Sequence, residues 1–356
     1  MVEPKVSVVV PCYNVAKYIK NVYINIRQST YSNIELIFVD DGSTDDTLVE
    51  LSEIKDSKVR IIKKENGGVS SARNAGIEAS MGTYIVFVDP DDLIDSQLVE
   101  KAVKKAEVEH LDFLMWGYKK QSGDGSEEYI YPKQRYNFTT SQEIIQCLIP
   151  SMIGISSEII KSWQAGKDLY SQKEWGAVWR GLYRREILIT EGIRFSTELF
   201  LNEDSMFNCE YLSCCKRTNT LYDCLYTYRV QNNGAMFSSL RSRKLIKNKL
   251  ALVVERERIR KRILNNYDID IFEYYAGSLV LSLFELYISL SKIDGGGYNL
   301  CKTYQDVPAV KKAISCINIG KKLKFSVPLL LVKIKMGYIL FAILKLANKF
   351  HIQIAI

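Results

Sequence analysis

Short apolar runs alternate with segments of helical periodicity through the first hundred residues, and this alternation limits the possible fold more than any other feature. The runs have the length of β-strands, and they are apolar at successive positions rather than at every second one. Such strands are buried on both faces, which is typical of a parallel sheet covered by helices. The sequence therefore predicts an α/β fold with a mostly parallel, Rossmann-like sheet flanked by helices. The predicted strands are residues 6–10, 34–39, 59–62 and 84–88, and the predicted helices between them include residues 16–28 and 70–79.

Acidic residues follow two of these strands directly. Asp40 and Asp41 come after the second strand, and Asp89, Asp91 and Asp92 come after the fourth. In open α/β sheets, ligands bind beyond the carboxyl ends of the strands, so we expect both acidic groups to line one crevice. An acid after the second strand can accept hydrogen bonds from a ribose or a base. The alternative for Asp40 and Asp41 is a turn followed by a helix cap.

The acids after the fourth strand also predict a divalent metal site. Several carboxylates this close together repel one another unless a cation lies among them. Oxygen ligands suit Mg²⁺ or Mn²⁺, and magnesium commonly combines one or two protein carboxylates with substrate phosphates. The alternative is a turn at Pro90, with Asp91 or Asp92 capping a helix that begins at Leu93. Zinc is disfavoured, because the two histidines are far apart and the eight cysteines include no C-x-x-C pair.

Two further segments contain residues suited to phosphate binding and to proton transfer. Gly67 and Gly68 precede a predicted helix start, where backbone N–H groups attract phosphate, and Arg73 adds positive charge. A simple loop is the alternative. Glu203 and Asp204 lie at the start of another predicted helix, where the helix dipole alone also favours acids. A general base is required if a hydroxyl is to attack, and no histidine is suitably placed in the sequence.

The C-terminal part of the chain is both basic and apolar. The formal net charge is +7, and the segment from Lys311 onward contains nine lysines but no aspartate or glutamate. Residues 326–347 are strongly apolar, but lysines interrupt them, so no run reaches the ~18–20 uncharged residues of a spanning helix. We expect amphipathic helices that lie on an anionic membrane; packing against the rest of the protein is the alternative. The lysines lie among apolar residues rather than on an aromatic stacking platform, so no nucleic-acid partner is expected.

Three regions follow from these patterns: residues 1–235 with the strand–helix alternation, residues 236–310 with helical periodicity, and the basic tail of residues 311–356. The first apolar run lacks the features of a signal peptide, so we expect a cytoplasmic protein that is peripheral on the inner face of the membrane. Further predicted strands are residues 113–118 and 221–230, and further predicted helices are residues 204–212, 241–264, 271–290 and 306–316, with a break at residues 295–297.

The motifs in their order resemble those of the inverting glycosyltransferases of family 2, which have the GT-A fold. The resemblance covers about the first 230 residues, and the series of motifs is far more specific than any one of them. It rests on Val6-Ser7-Val8-Val9-Val10-Pro11-Cys12-Tyr13-Asn14, Val39-Asp40-Asp41-Gly42-Ser43-Thr44-Asp45, Asn66-Gly67-Gly68, Ala72-Arg73-Asn74-Ala75-Gly76, Phe87-Val88-Asp89-Pro90-Asp91-Asp92, Glu203-Asp204 and Tyr226-Thr227-Tyr228-Arg229.

The resemblance implies a role for each motif. Asp41, with Pro11 and Tyr13, would hold the nucleobase of a donor, most often uracil. Asp89 and Asp91 would bind Mn²⁺ or Mg²⁺, and Asp204 would be the catalytic base. Together with the patterns above, it assigns Asp40, Asp41, Gly67, Arg73, Asp89 and Asp92 to donor binding, and Trp179, Glu203 and Arg229 to the acceptor and diphosphate side.

The implied reaction moves a sugar from a nucleoside-diphosphate sugar, with UDP-sugars favoured, to a hydroxyl of a saccharide acceptor with inversion. A membrane-attached enzyme would suit an acceptor on a polyprenyl diphosphate, as in the assembly of bacterial capsule, exopolysaccharide or O-antigen. Two positions depart from the family pattern. Arg180-Gly181 stands where Asn-Lys often follows Trp179, and Gly234-Ala235 stands near a common Ser.

Two other functions remain open at the level of sequence. A metal-dependent nucleotidyltransferase also uses carboxylates on a similar sheet, but the chain lacks an early Gly-rich signature with Lys or Arg. A non-catalytic, membrane-associated homologue is the second alternative, and the presence of Asp41, Asp91 and Asp204 disfavours it.

Overall fold

The computed structural model describes residues 3–171, 173–230, 242–292, 295–320 and 322–350. The chain forms two compact units, one of residues 1–149 and 174–234, the other of residues 150–173 and 235–356. The division at 234/235 lies beside the predicted boundary at 235. The segment 150–173 belongs to the second unit, which also contains the whole tail from residue 311. Gly234, Ala235 and the last six residues of the tail lie outside the described residues.

The first unit contains a nine-stranded sheet whose first half is parallel. β1 is central, pairing with β2 on one side and β4 on the other, while β3 extends the sheet beyond β2. β1, β2 and β4 are buried along their whole length, as their continuous apolar sequences predict. The elements of this half are β1 (Val6–Cys12), α1 (Ala16–Arg27), β2 (Ile34–Asp40), α2 (Thr47–Ser52), β3 (Val59–Lys63), α3 (Val69–Ala79) and β4 (Tyr84–Phe87).

The second half of the sheet is mixed. β8 lies between β4 and β6 and is antiparallel to both, whereas β9 runs parallel to β6. β5 is antiparallel to β9, and β7 is antiparallel to β6. The remaining elements of this unit are β5 (Leu93–Ile94), α4 (Leu98–Glu109), β6 (Phe113–Gln121), β7 (Glu127–Ile130), α5 (Ser141–Glu143), a π-helical turn (Ile144–Leu148), a 3₁₀ turn (Val178–Arg180), β8 (Gly181–Arg184), α8 (Arg185–Thr190), α9 (Glu203–Leu212) and β9 (Thr218–Arg229). Between the π turn and the 3₁₀ turn, the chain passes into the second unit within α6 (Ile149–Ile153), and α7 (Ser157–Gln164) belongs to that second unit.

The helix considered at Leu93 is absent, because Leu93 and Ile94 form strand β5 instead. Leu93 pairs with Thr227 of β9, and the side chain of Asn25 both donates to the carbonyl of Ile94 and accepts from its N–H. These bonds hold the backbone extended, and helix α4 begins only at Leu98. Asp91 and Asp92 are therefore not helix caps.

The second unit is helical. The helix predicted over 271–290 starts at Ala276 after a 3₁₀ turn, and the one predicted over 306–316 starts at Pro308, a residue favoured in the first turn. Gly295 and Gly296 adopt left-handed conformations at the predicted break. The described elements after residue 241 are α10 (Ser242–Tyr267), a 3₁₀ turn (Phe272–Tyr274), α11 (Ala276–Leu290), α12 (Gly297–Gln305), α13 (Pro308–Cys316), α14 (Leu323–Lys333) and α15 (Gly337–Lys349).

None of the described helices is by itself both long and apolar enough to cross a bilayer, although the bent pair 141–153 and 157–164 together has sufficient length and apolar composition.

Close contact between α3 and β1 gives the first prediction. A Cβ on Gly76 would lie 2.2 Å from a methyl carbon of Val9, so only glycine at this position lets α3 pack this closely against β1. We expect Gly76→Ala to lower the free energy of unfolding by about 1–3 kcal/mol through overpacking, although alanine favours helix formation. Urea denaturation measures the change. Glu78→Ala, on the exposed side of α3, is the control, with a change within about 0.5 kcal/mol; equal stability of Gly76→Ala would contradict the tight packing.

Candidate active site

Helix α3 connects two acidic groups that the sequence placed in one crevice. At its N-terminus, the buried carboxylate of Asp41 accepts hydrogen bonds from the N–H groups of Gly67 (3.1 Å) and Gly68 (2.7 Å). Lys64 forms an ion pair with the same carboxylate. Gly68 has φ of 85°, a conformation that glycine adopts without strain. The glycine pair thus turns the chain so that the start of α3 faces the end of β2.

Arg73 lies on the same helix, five residues beyond Gly68 and so about 7.5 Å along its axis. Its guanidinium donates to Asp204 (2.7 Å) and to Asp89 (3.0 Å), and it lies 3.9 Å from a carboxylate oxygen of Glu203. Burial lowers the pKa of this arginine, but the carboxylates of Asp204, Asp89 and Glu203 raise it by more. Arg73 is therefore a permanent cation that holds the end of β4 and the start of α9 together.

The position of Arg73 is supported by the residues that follow it. Asn74 donates to the carbonyl of Phe195 (2.9 Å) and accepts from its N–H (2.8 Å). The ring of Phe195 lies 5.5 Å from the guanidinium carbon of Arg73 and stacks on Phe207 of α9 at 3.8 Å. The Ala72-Arg73-Asn74-Ala75-Gly76 motif thus combines the ion pair, a loop anchor at Asn74 and the close packing of Gly76.

Asp204 lies in the first turn of α9, after Asn202 in a left-handed conformation. One carboxylate oxygen accepts from Arg73 and the other accepts from the N–H of Val178 (3.2 Å). Burial raises the pKa of Asp204 to about 7, with smaller contributions from Glu203 and Asp89 and an opposing one from Arg73. A carboxyl with this pKa exchanges protons near neutral pH, as a general base requires.

The three acids after β4 differ in how their carboxylates are engaged. One carboxylate oxygen of Asp89 accepts a hydrogen bond from Arg73. Asp92 is buried, and its two oxygens accept from the hydroxyl of Tyr226 (2.7 Å) and from the N–H of Arg229 (2.8 Å). Within the part of the chain that the structure describes, the Asp91 carboxylate forms no ion pair and no hydrogen bond with another residue, only one with its own backbone N–H. Burial raises the pKa of Asp91, and the nearby carboxylate of Asp89 raises it further. Asp91 is thus the acid of this group that is open to a ligand.

The other predicted donor-side residues lie around the end of β1. Pro11 is buried within β1, whereas Tyr13 is 49% exposed directly after it. Asp40 is buried; one of its oxygens accepts from the N–H of Ser43 (3.2 Å), and the other has no partner among the described residues. Asp40 therefore shapes the turn after β2, and the exposed ring at this edge belongs to Tyr13.

The predicted acceptor-side residues occupy different depths. Trp179 is buried and stacks on the ring of Tyr226 at 4.3 Å, beneath the surface of the site. Glu203 begins α9, and Arg229 ends β9 with its N–H bound to Asp92. The exposed indole in this region belongs to Trp175, which packs edge-on against Trp179 at 5.2 Å and was not predicted from the sequence.

Arg180 explains one departure from the family pattern. Its side chain points inward and forms a buried ion pair with Glu174 (3.1 Å), and it also donates to the carbonyls of Trp116 and Trp175. Glu174 accepts in addition from the hydroxyl of Tyr136 (2.8 Å). This network fixes the segment that carries Trp175 and the N–H donor of Val178.

Part of the chain is similar to a known family and to known glycosyltransferases. Residues 7–163 match the model of the family described as glycosyl transferase family 2. This match covers less than half of the chain and shows that its N-terminal part is similar to that family. It is 34% identical over 233 residues to the uncharacterized glycosyltransferase EpsJ of Bacillus subtilis strain 168, a match that covers 65% of this chain but less than two thirds (62%) of EpsJ. It is 27% identical over 234 residues to the glycosyltransferase GlyG of Streptococcus pneumoniae, covering 65% of this chain and 72% of GlyG.

The fold also matches a solved structure. The crystal structure of S. aureus TarS 1–349 in complex with UDP-GlcNAc has a TM-score of 0.59 at 18% identity, covering 98% of this chain and 92% of that one. This likeness confirms the predicted GT-A-like α/β fold with a C-terminal helical region. The parallel half of the sheet, α3 and α9 carry most of the motifs that resemble this family.

Two of the three acids after β4, Asp89 and Asp91, have carboxylate oxygens available for a divalent cation. No group of three or more His, Cys, Asp or Glu residues arranged for metal binding occurs in the described residues. Mg²⁺ and Mn²⁺ nevertheless need only one or two protein carboxylates when substrate phosphates complete the shell. The unpaired carboxylate of Asp91 and the second oxygen of Asp89 fit that requirement, whereas Asp92 is already fully engaged.

The buried ion pair gives the second prediction. We expect Arg180→Met to lower the free energy of unfolding by about 3–5 kcal/mol, because Glu174 would stay buried without its cation. Urea denaturation measures the loss, and Lys120→Met, which breaks an exposed pair with Glu128, should lose no more than about 1 kcal/mol. A loss for Arg180→Met as small as that of Lys120→Met would argue against the inward position of Arg180.

The pKa of Asp204 gives the third prediction. Its carboxyl should be largely neutral below pH 7 and anionic above it, because the pKa is raised to about 7. Titration of the aspartate side-chain carbons by ¹³C NMR measures this, with the signal assigned by its loss in Asp204→Asn. Any reaction that needs the anionic form should speed up as the pH rises through the same range. Titration of that signal near the ordinary aspartate pKa of ~3.9 would contradict the effect of burial.

Proposed function

We propose that this chain transfers a sugar from a nucleoside-diphosphate sugar to a hydroxyl of a saccharide acceptor, with inversion at the anomeric carbon. The observation that carries the proposal is the contact of one buried guanidinium, that of Arg73, with both Asp89 and Asp204. A carboxylate suited to proton transfer and the carboxylates suited to a diphosphate-bound cation are thereby held side by side. The similarity of residues 7–163 to glycosyl transferase family 2 supports the same class of reaction.

The donor nucleotide is assigned to the ends of β1 and β2. The exposed ring of Tyr13 offers a face on which a base can stack, and the buried carboxylate of Asp41 is the hydrogen-bond acceptor that we assign to the base. The ammonium group of Lys64 already pairs with that carboxylate. An N–H of the base would therefore either share the carboxylate with Lys64 or displace the ammonium group. We assign uracil as the base. The complex of TarS, a protein of similar fold, with UDP-GlcNAc supports this choice.

Asp204 acts on the acceptor. Its carboxylate takes the proton of the acceptor hydroxyl as that oxygen attacks the anomeric carbon, and the nucleoside diphosphate leaves from the opposite face. Arg73 holds Asp204 in place and keeps a positive charge beside the developing negative charge. A Mn²⁺ or Mg²⁺ ion held by Asp91 and Asp89 would offset the charge of the diphosphate. Asp92 positions the end of β9 through its bonds to Tyr226 and Arg229.

The acceptor side is formed by Trp175 and Glu203. The exposed indole of Trp175 suits the apolar face of a sugar ring, and Trp179 supports it from below. We assign the acceptor to a saccharide carried on a polyprenyl diphosphate, in the synthesis of a bacterial surface polysaccharide. Such an acceptor places the enzyme in the cytoplasm, at the inner face of the membrane.

The fourth prediction separates the base from the metal-binding acid. Asp204→Asn should bind UDP with unchanged affinity but lose at least about 10²–10⁴-fold in turnover, because the proton acceptor is removed. Asp91→Asn should instead weaken Mn²⁺-dependent UDP binding. Isothermal titration with UDP and Mn²⁺, and hydrolysis or transfer assays with a panel of nucleotide sugars, measure both effects.

Asp223→Asn is the matched control, since Asp223 forms an ion pair with the half-exposed Lys101 at the surface, and neither binding nor turnover should change. Near wild-type turnover of Asp204→Asn would remove Asp204 from the role of base. Release of diphosphate from a nucleoside triphosphate and a sugar phosphate would identify a nucleotidyltransferase instead.

A further inference from the structure

Helices α14 and α15 leave many apolar side chains uncovered. The described chain has 24 exposed large apolar side chains, and nine of them lie between residues 319 and 350. This concentration marks an interaction surface rather than the scattered apolar exposure of an ordinary protein exterior. The nine residues, named here the tail surface, are Ile319, Leu323, Val327, Leu330, Ile334, Tyr338, Ile343, Leu346 and Phe350.

The exposed residues of each helix follow helical spacing. On α14, Leu323, Val327 and Leu330 are 44–73% exposed and fall on one face, which Ile334 continues. On α15, Ile343 and Leu346 fall on one face, which Phe350 continues at 68% exposure. Both helices also bury a second apolar face within their own unit. A helix that needed only to pack on the protein would carry polar residues on its outer face.

The charged side chains within residues 319–350 are all lysines, and the nearby Asp306, which lines a cleft with Lys333 and Lys335, pairs with Lys302 and Lys311. No aspartate or glutamate occurs after Asp306. Lys322, Lys324, Lys333, Lys335, Lys345 and Lys349 are at least partly exposed, and none of these six forms an ion pair with a residue that the structure describes. Two copies of this surface would bring these lysines against one another, which disfavours self-association through it. An anionic partner removes that repulsion.

A cleft of about 640 Å³ lies beside the exposed face of α15. Lys292, Lys345 and Lys349 line it without any acid, and Leu346 of the tail surface forms part of its wall. Asn348 donates its amide to Ser291 (2.8 Å), joining α15 to the end of α11 at this point. Three ammonium groups beside an exposed leucine match a phosphate headgroup above an acyl chain.

We propose that the tail surface docks onto an anionic phospholipid bilayer, with its apolar residues in the interface and a lipid phosphate in the Lys292–Lys345–Lys349 cleft. The long lysine side chains reach the headgroups while their stems lie along apolar surface. The proposal does not depend on the proposed sugar transfer, since it concerns different residues and is measured by binding alone.

Vesicle cosedimentation of the full chain tests the apolar part. Wild type should pellet with vesicles of equimolar phosphatidylcholine and phosphatidylglycerol, and much less with pure phosphatidylcholine. Leu323→Gln/Leu346→Gln should bind the anionic vesicles at least about tenfold more weakly. Val108→Gln/Val254→Gln is the control, because Val108 (73%) and Val254 (65%) are equally exposed apolar residues outside the tail surface.

The charged part is tested with lysine variants. Lys292→Gln, Lys345→Gln and Lys349→Gln should each weaken binding to the anionic vesicles about fivefold. Lys104→Gln and Lys261→Gln, which alter exposed lysines elsewhere, should leave it unchanged. Inorganic phosphate at the same concentration as the lipid phosphate should not release the protein, because it supplies no apolar interface.

Three outcomes would overturn the proposal: equal binding to both vesicle types, unchanged binding of the tail variants, or a concentration-dependent dimer that Leu323→Gln/Leu346→Gln abolishes. The last would assign the tail surface to a second copy. Circular dichroism of each variant confirms folding. Unchanged donor hydrolysis in a variant that no longer binds vesicles would separate this result from a failure of the proposed transferase function.

Discussion

The arrangement of the first unit depends on the burial of Arg73. A guanidinium cannot lose its proton in a protein, so its burial is tolerated only when carboxylates surround it. Here those carboxylates come from the end of β4 and from the start of α9, which are far apart in sequence. The need to compensate one cation therefore brings together acids that would otherwise repel one another. The same need keeps Asp204 beside the strand end that carries Asp89 and Asp91.

Charge compensation at a second position supports the other side of the site. Arg180 and Glu174 are both buried, and each forms several further hydrogen bonds within the first unit. Their pairing sets the backbone of the segment between them, from which Val178 donates to Asp204 and Trp175 reaches the surface. Replacement of the usual Asn-Lys pair after Trp179 is thus accompanied by an inward ion pair. Gly181, which stands where the lysine would be, has no side chain to contact a ligand.

The sequence predicted the parallel half of the sheet well, because strands buried on both faces leave continuous apolar runs. It also predicted the fold class and grouped the acids, since parallel strands end at one edge. It missed β8, whose four residues lie within an aromatic and basic segment without strand periodicity. It also missed the hydrogen bonding of Asp92, because the partner hydroxyl of Tyr226 comes from a strand more than 130 residues away. The sequence also does not show how deeply a side chain is buried, since no pattern in it distinguishes the buried Trp179 from the exposed Trp175. The roles of the site residues stay predictions.

The position of β8 has a consequence for the protein during its synthesis. β4 and β6 lie on either side of β8, yet both are made before it, and Tyr84 of β4 precedes its partner Arg184 by 100 residues. At ribosomal rates of about 5–20 residues per second, the edge of β4 waits roughly 5–20 s for its neighbour. During that time the edge of β4, an apolar strand that is buried in the folded protein, is open to pairing with other chains. The nascent chain therefore carries an unpaired edge on β4 until residue 184 has left the ribosome.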